Sequence, residues 1–335
     1  MNEIQREILN LKEKGLTRIC SADDINEIAA LTLEINRLKK EKNAVIAAHL
    51  YQRAEVILGV ADFVGDSYKL AKECIGVNSD IIIFCGVNFM AETAKILNPE
   101  KRVFIPDKNA GCSLSESMRA DDLIKLKEKY PGVPVVTYIN TSADIKALSD
   151  VVVTSSNAEK ILARVFEKNK RVIFIPDKYM GRNLAKRLNK EIGVELIIWN
   201  GSCIVHENFD SSIILEYRKK YPDMLVMAHS ECPSEIIKNV DFMGSTSDML
   251  FQIEHTNASA YMLVTECGLG ELAMTKYPEK NFIAMCRLCP YMKMINLENI
   301  KDTLFNLPAD KEIILEENVI IKAKKSIEMM FEFSK

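Results

Sequence analysis

From Val45 onward, short apolar runs rich in Val, Ile and Phe alternate with stretches whose apolar residues recur at helical spacing, which predicts parallel strands each followed by a helix. One phrase in this alternation is written three times: an apolar strand, a polar tip, a helical stretch, an Asp-led second strand and a hydroxyl cluster. It reads Val45-Ile46-Ala47-Ala48-His49-Leu50-Tyr51, running on to Asp62-Phe63-Val64-Gly65-Asp66-Ser67. It returns as Val135-Val136-Thr137-Tyr138-Ile139-Asn140 with Asp150-Val151-Val152-Val153-Thr154-Ser155-Ser156, and as Leu225-Val226-Met227-Ala228-His229-Ser230-Glu231 with Asp241-Phe242-Met243-Gly244-Ser245-Thr246. From His49 to Ser67, Tyr138 to Ser155 and His229 to Thr246 the spacing is 18, 17 and 17 residues. Three structurally equivalent units follow. Each sets polar groups just past a strand and hydroxyls at a helix start, where α/β units bind ligands and helix N–H groups receive anions. One site built from three equivalent tips is expected.

The rest of the chain frames these units. Residues 1–41 read as a helical covering element, with Ile25, Ile28, Leu31, Ile35 and Leu38 on one face. The α/β units are expected at 42–113, 114–203 and 204–290, followed by a closing segment, 291–335, in which a loop and strand piece leads to a helix. The phrase Phe104-Ile105-Pro106-Asp107-Lys108 recurs as Phe174-Ile175-Pro176-Asp177-Lys178 and reads as a second sign of duplication. Asp107 and Asp177, behind prolines, read as turn formers rather than catalytic acids.

A chain of 335 residues that is 48% hydrophobic can bury a large core. A net charge of −3 leaves no excess of Lys and Arg to neutralise phosphates, so neither nucleic acid nor an anionic membrane is expected as a partner. No apolar run reaches membrane-spanning length and Met1 to Lys14 lacks a signal-peptide core, so a cytoplasmic enzyme of small molecules is the expectation.

Nine cysteines without framework spacing do not read as a secreted disulfide scaffold. Cys20, Cys74, Cys232 and Cys267 read as buried packing. Each unit ends a later strand with a cysteine: Cys85 after Ile81-Ile82-Ile83-Phe84, Cys203 after Ile197-Ile198-Trp199, and Cys286 or Cys289 after Phe282-Ile283-Ala284-Met285. Singly, such a cysteine is more often core than ligand. One per unit, converging on a pseudo-threefold axis, suits an iron-sulfur cluster with three thiolate ligands and one iron open as a Lewis acid. Zinc at Cys286-x-x-Cys289 is the weaker alternative, because no second pair of that spacing exists.

At these residues the chain resembles the quinolinate synthase family. The likeness runs from Val45 to Ile300 through Ala48-His49-Leu50-Tyr51, Gly65-Asp66-Ser67-Tyr68, Cys85 with Phe89-Met90-Ala91-Glu92-Thr93-Ala94, Tyr138-Ile139-Asn140, Thr154-Ser155-Ser156-Asn157-Ala158, Cys203-Ile204-Val205-His206, Gly244-Ser245-Thr246 and Cys289-Pro290-Tyr291-Met292-Lys293. It implies three pseudo-symmetric three-layer α/β/α units with parallel sheets around a central 4Fe-4S cluster. Carried over by motif, the ligands fall on Cys85, Cys203 and Cys289, while Cys112 and Cys286 match none. The departures are Ser230, where the family commonly has Pro, and Leu50, where an aromatic is common.

The resemblance implies condensation of iminosuccinate with dihydroxyacetone phosphate to quinolinate, phosphate and water in de novo NAD biosynthesis, with an L-aspartate oxidase or dehydrogenase as functional partner. Ser67, Tyr138, Asn140, Ser155, Ser245 and Thr246 are the expected anchors for carboxylate or phosphate, although each hydroxyl alone would more often be a helix cap. His49, Tyr51, His206, His229 and Glu231 are the proton-transfer candidates, His49, His229 and Glu231 also facing substrate, and Met90 is a further contact. Two other readings use the same parts: an aconitase-like hydro-lyase, and a non-catalytic iron-sulfur sensor with Cys286 and Cys289 as a thiol switch.

Overall fold

The structure, a computed structural model, describes residues 1–21 and 23–335. A first parallel sheet, ordered β2-β1-β3-β4, holds β1 (Ala44–His49), β2 (Phe63–Gly65), β3 (Ile81–Cys85) and β4 (Arg102–Phe104). A second repeats that order as β6-β5-β7-β8, from β5 (Val135–Tyr138), β6 (Val151–Val153), β7 (Val172–Ile175) and β8 (Leu196–Ile198). A third has five strands: β9 (Leu225–His229), β10 (Phe242–Gly244), β11 (Tyr261–Glu266), β12 (Phe282–Ile283) and β13 (Cys286–Arg287). There β10 pairs with β9, and β12 and β13 pair with β11, all in parallel. The expected α/β class with three parallel sheets flanked by helices is therefore what the chain forms.

The Asp that leads each second strand has one job in all three sheets. Asp62, Asp150 and Asp241 accept the backbone N–H of Ile46, Val135 and Val226 through Oδ2 at 2.8, 2.7 and 2.8 Å. Each also donates its own N–H to the carbonyl of that same residue. A carboxylate here satisfies a donor at the start of the central strand that the short edge strand does not reach. The repeated Phe-Ile-Pro-Asp-Lys phrase behaves differently: its first copy follows β4, the fourth strand of its sheet, and its second follows β7, a third strand. The two copies are thus not equivalent positions, and the phrase is no sign of duplication. Asp107 does form a turn, through Asn109 N–H, whereas Asp177 caps the helix Lys178–Arg187.

By compactness the chain divides into Met1–Ala110 with Ser259–Ile314, and Gly111–Ala258 with Leu315–Lys335. In the first unit the N-terminal helices Glu3–Glu13 and Asp24–Glu41 bury Leu11, Ile25 and Ala29 together with Leu16 and Ala54. Each fully enclosed Leu or Ile contributes about 1.5–3 kcal/mol. In the second unit Val135, Ile145, Ile173, Ile175 and Ile197 form a core closed by Met118 and Leu123. The closing helix Glu317–Phe333 packs there on helix Ala143–Leu148 and β6. Among the described residues no helix is long and apolar enough to cross a membrane.

Candidate active site

Within the second unit, strand ends and one loop bring five of the expected site residues together. Tyr138 ends β5, His229 ends β9, and Glu231 lies two residues further along the β9 tip. The Tyr138 hydroxyl donates to Glu231 Oε1 at 2.5 Å, while His206 Nδ1 stands 3.0 Å from Glu231 Oε2 and 3.3 Å from Cys203 Sγ. The His206 and His229 rings stack with centroids 4.7 Å apart, and His229 Nδ1 is 3.6 Å from Glu231 Oε1. Tyr138, His206, His229 and Glu231 are all buried.

Charge in this cluster follows from who faces whom. Burial by itself would raise the Glu231 carboxyl, but the two imidazoles and the hydrogen bonds from His206 and Tyr138 outweigh it and hold the group below the usual carboxylate range. Glu231 is therefore an anion with its negative charge shared among a phenol and two rings. His229 is drawn down to about 4, chiefly by burial, with Glu231 opposing and His206 adding to the shift. It is a neutral imidazole at pH 7. Asp177, fully buried and electrostatically coupled to Glu231, is held well above the ordinary range by burial first and by Glu231 second.

The hydroxyls divide. Ser245 caps the helix Thr246–His255, donating to Asp248 Oδ2 at 2.6 Å and accepting the Asp248 N–H, so its structural role is plain. Asp66 rather than Ser67 caps the helix Ser67–Glu73. Ser155 lines a cavity of about 220 Å³ with Ser230 and Gly244. Thr246 is buried in the first turn of its helix, Asn140 is half-buried just past β5, and Met90 is buried in the helix Asn88–Leu97.

In the first unit, Tyr51 N–H donates to His49 Nδ1 at 3.2 Å, and Glu231 N–H meets His229 Nδ1 at 3.4 Å in the same way in the second unit. The two tips fold alike. Tyr51 hydroxyl pairs with Thr265 Oγ1 at 2.5 Å, and its carbonyl accepts from Lys293 Nζ at 2.8 Å. Glu266, buried at the end of β11, accepts Gly268 N–H at 2.6 Å and Cys289 N–H at 3.2 Å, with Lys293 Nζ 3.5 Å away. A Cβ on Gly268 would lie 2.6 Å from the Tyr51 carbonyl oxygen, which only glycine avoids. Thr265, Glu266 and Lys293 thus hold Tyr51 and Cys289, and none of the three was singled out from sequence, because their partners lie far off along the chain.

The cysteines depart from the sequence expectation at two points. Cys112, Cys203 and Cys289 each open one and the same device: the carbonyl of the cysteine accepts the N–H of the fourth residue on (Glu116, Glu207, Lys293), a 3₁₀ turn begins three residues on (Ser115, His206, Met292), and a helix begins eight residues on (Ala120, Ser211, Leu297). Cys85 is not part of this repeat. Ala48 registers with Cys85 and Thr137 with Ile175, so the counterpart of Cys85 in the second sheet is an isoleucine, and Cys85 is wholly buried. Cys112 also lies close enough to Cys203 to raise its thiol, and Ile204 N–H donates to Ser113 Oγ at 3.3 Å. The repeated unit is the turn after the last strand of each sheet, which Cys112 opens and Cys85 does not, and the phrases Cys112-x-x-x-Glu116 and Cys203-x-x-x-Glu207 carry its signal in the sequence. Second, Cys286 is joined to Cys267 in a disulfide, so its partner is not Cys289. The β11–β13 pairing, Thr265 with Cys286, brings the two sulfurs together.

These cysteines fit a thiolate-held cluster. All three lie outside the disulfide and are half-buried. Burial pushes the Cys203 and Cys289 thiols up, while backbone N–H groups of His206 and Val205, and of Met292 and Tyr291, hydrogen-bond the two sulfurs and pull the other way. Such N–H···S contacts are those that stabilise cluster thiolates. Cys203, His206 and Glu231 could in addition hold a single ion, their donor atoms lying within 4.8 Å of one another. Zinc at Cys286-x-x-Cys289 is not supported, since Cys286 is bonded elsewhere.

Comparison with known proteins identifies one family. The profile of the quinolinate synthetase A protein family matches residues 33–332. A quinolinate synthase of Xylella fastidiosa is 44% identical over 296 residues, 88% of this chain and 85% of the relative. One from Sinorhizobium fredii is 42% identical over 327 residues, 98% of this chain and 89% of the relative, and one from Agrobacterium fabrum is 44% identical over 298 residues, 89% and 84% respectively.

Proposed function

Because the chain belongs to the quinolinate synthetase A family, we propose that it condenses iminosuccinate with dihydroxyacetone phosphate to give quinolinate, phosphate and water. The observation that carries this reading is the buried Glu231 anion held by Tyr138, His206 and beside His229. Closing an aromatic ring from these two substrates removes C–H protons and expels water, and a carboxylate fixed in place by Tyr138 and His206 is positioned to receive such protons. Neutral His229 can accept a proton that Glu231 passes on, and Tyr51, whose hydroxyl is oriented by Thr265, can donate one to a leaving hydroxyl.

Cys112, Cys203 and Cys289 are the proposed cluster ligands, an assignment that rests on the repeated turn. Held by these three thiolates, a four-iron cluster would keep one iron open and would supply Lewis acidity toward a carboxylate or hydroxyl. Ser155, Ser67, Asn140 and Thr246 are proposed as neutral anchors for substrate carboxylate or phosphate, His49 and His229 as further polar contacts and Met90 as an apolar one. The three-unit boundaries, the cytoplasmic location and the link to an L-aspartate-oxidising enzyme belong to the same proposal. A sensor built on a Cys286–Cys289 switch is disfavoured by the Cys267–Cys286 bond. Turnover of the two substrates by anaerobically reconstituted protein, followed as quinolinate by chromatography, is the direct test; a fully loaded protein that forms no quinolinate would overturn it.

A further inference from the structure

We propose that Asn183 is a positioning residue for Glu231. Its side-chain amide sits in the middle of the helix Lys178–Arg187 and donates to two carbonyls of the β9 tip, Ser230 O at 3.0 Å and Cys232 O at 2.9 Å. These are the residues on either side of Glu231. One amide thereby holds the peptide group that enters Glu231, through Ser230 O, and the one that leaves Cys232, through Cys232 O, and so brackets the residue that carries the carboxylate.

The helix that carries Asn183 is itself anchored to the second sheet. Asp177 Oδ1 accepts Met180 N–H at 2.6 Å at its start, and Gly181 lies so close to β7 and β8 that a Cβ there would meet Ile198 at 2.8 Å and Phe174 at 3.0 Å. The Tyr138 and His206 groups that Glu231 faces belong to that sheet and the segments that follow it. Glu231 arrives on a different strand, β9. Asn183 is thus the link that sets the tip of β9 against the groups that hold the Glu231 charge, and both its donors are fully used in doing so. Asn183 is buried, so losing this amide leaves two carbonyls unsatisfied in an enclosed place, and the tip has reason to move.

This inference rests on the proposed role of Glu231, and its test separates the two. Asn183→Ala in the cluster-loaded enzyme should lower kcat about 10-fold with KM within about 3-fold, and Asn183→Ser, which keeps one donor, should fall between. Added to Glu231→Gln, Asn183→Ala should cost less than about 2-fold more, because a residue that acts through Glu231 has nothing left to position. Deuterium uptake of the peptide carrying residues 229–232 should rise in Asn183→Ala, a readout that needs no turnover. Unchanged kcat with unchanged uptake overturns the proposal, as does an equal fractional loss in both backgrounds, the mark of a merely structural residue. If Asn183→Ala does not fold, Asn183→Ser is judged by the same criteria. If Glu231→Gln keeps its activity, the function of Glu231 is what fails, and the uptake measurement alone decides whether Asn183 holds the tip.

Discussion

The Tyr138 hydroxyl hydrogen-bonds Glu231 Oε1 at 2.5 Å, joining the end of β5 to the tip of β9. The phenol expected to anchor substrate donates its proton to this carboxylate. Removing it takes away one of the interactions that keep Glu231 ionised.

Glu231→Gln changes little volume but abolishes the base, so kcat should fall roughly 10²-fold or more with iron content unchanged. Tyr51→Phe should fall by a similar factor. Near wild-type kcat in either fully loaded variant would refute its proton-transfer role.

Ala substitution at Cys112, Cys203 or Cys289 should abolish bound iron and the broad visible absorption of the reconstituted protein. Cys85→Ala should retain both, provided the small cavity left in the first sheet is tolerated. Full iron content in Cys112→Ala, with loss in Cys85→Ala, would reverse the assignment drawn from the repeated turn.

Acidification should weaken the fold through His229. With its folded value near 4 against an ordinary 6.5, the unfolded chain binds the proton first as pH falls, so stability present above 6.5 is lost between 6.5 and about 4. Glu231, held low, loses its contribution in the same direction at still lower pH. Asp177, held high, acts oppositely, its contribution being lost as pH rises through its folded value, but it is common to parent and variant. For His229 alone the window amounts to roughly 3 kcal/mol. Urea unfolding of cluster-free protein at pH 7 and pH 5 should show a clear loss that His229→Asn shrinks; identical losses in both would rule the mechanism out.

Thiol titration of denatured, unreduced and cluster-free protein should count seven reactive thiols, those outside the Cys267–Cys286 bond. Cys267→Ser and Cys286→Ser should each leave one more reactive thiol after oxidation and lower the thermal midpoint alike. Retention of a disulfide between Cys286 and Cys289 in Cys267→Ser would show that the pairing is exchangeable.

What the sequence by itself determined is what local pattern controls. Buried parallel strands read as continuous apolar runs, and the Asp that leads each second strand repeats because each central strand has the same unsatisfied N–H to satisfy. His229 and Glu231 were legible because polar residues at the ends of apolar strands stand out, and His206 through its place in the Cys203-Ile204-Val205-His206 motif. Tertiary structure alone decided the rest. The equivalence of Cys112 with Cys203 and Cys289 depends on a turn geometry that strand-end matching overlooks, and Cys85 was chosen for ending a strand. The similar Phe-Ile-Pro-Asp-Lys phrases proved to close different strands. Asn183, Glu266 and the partner of Cys286 could not be read at all, since each acts through contacts between residues distant along the chain, and one-dimensional spacing carries no record of which helix face meets which strand tip.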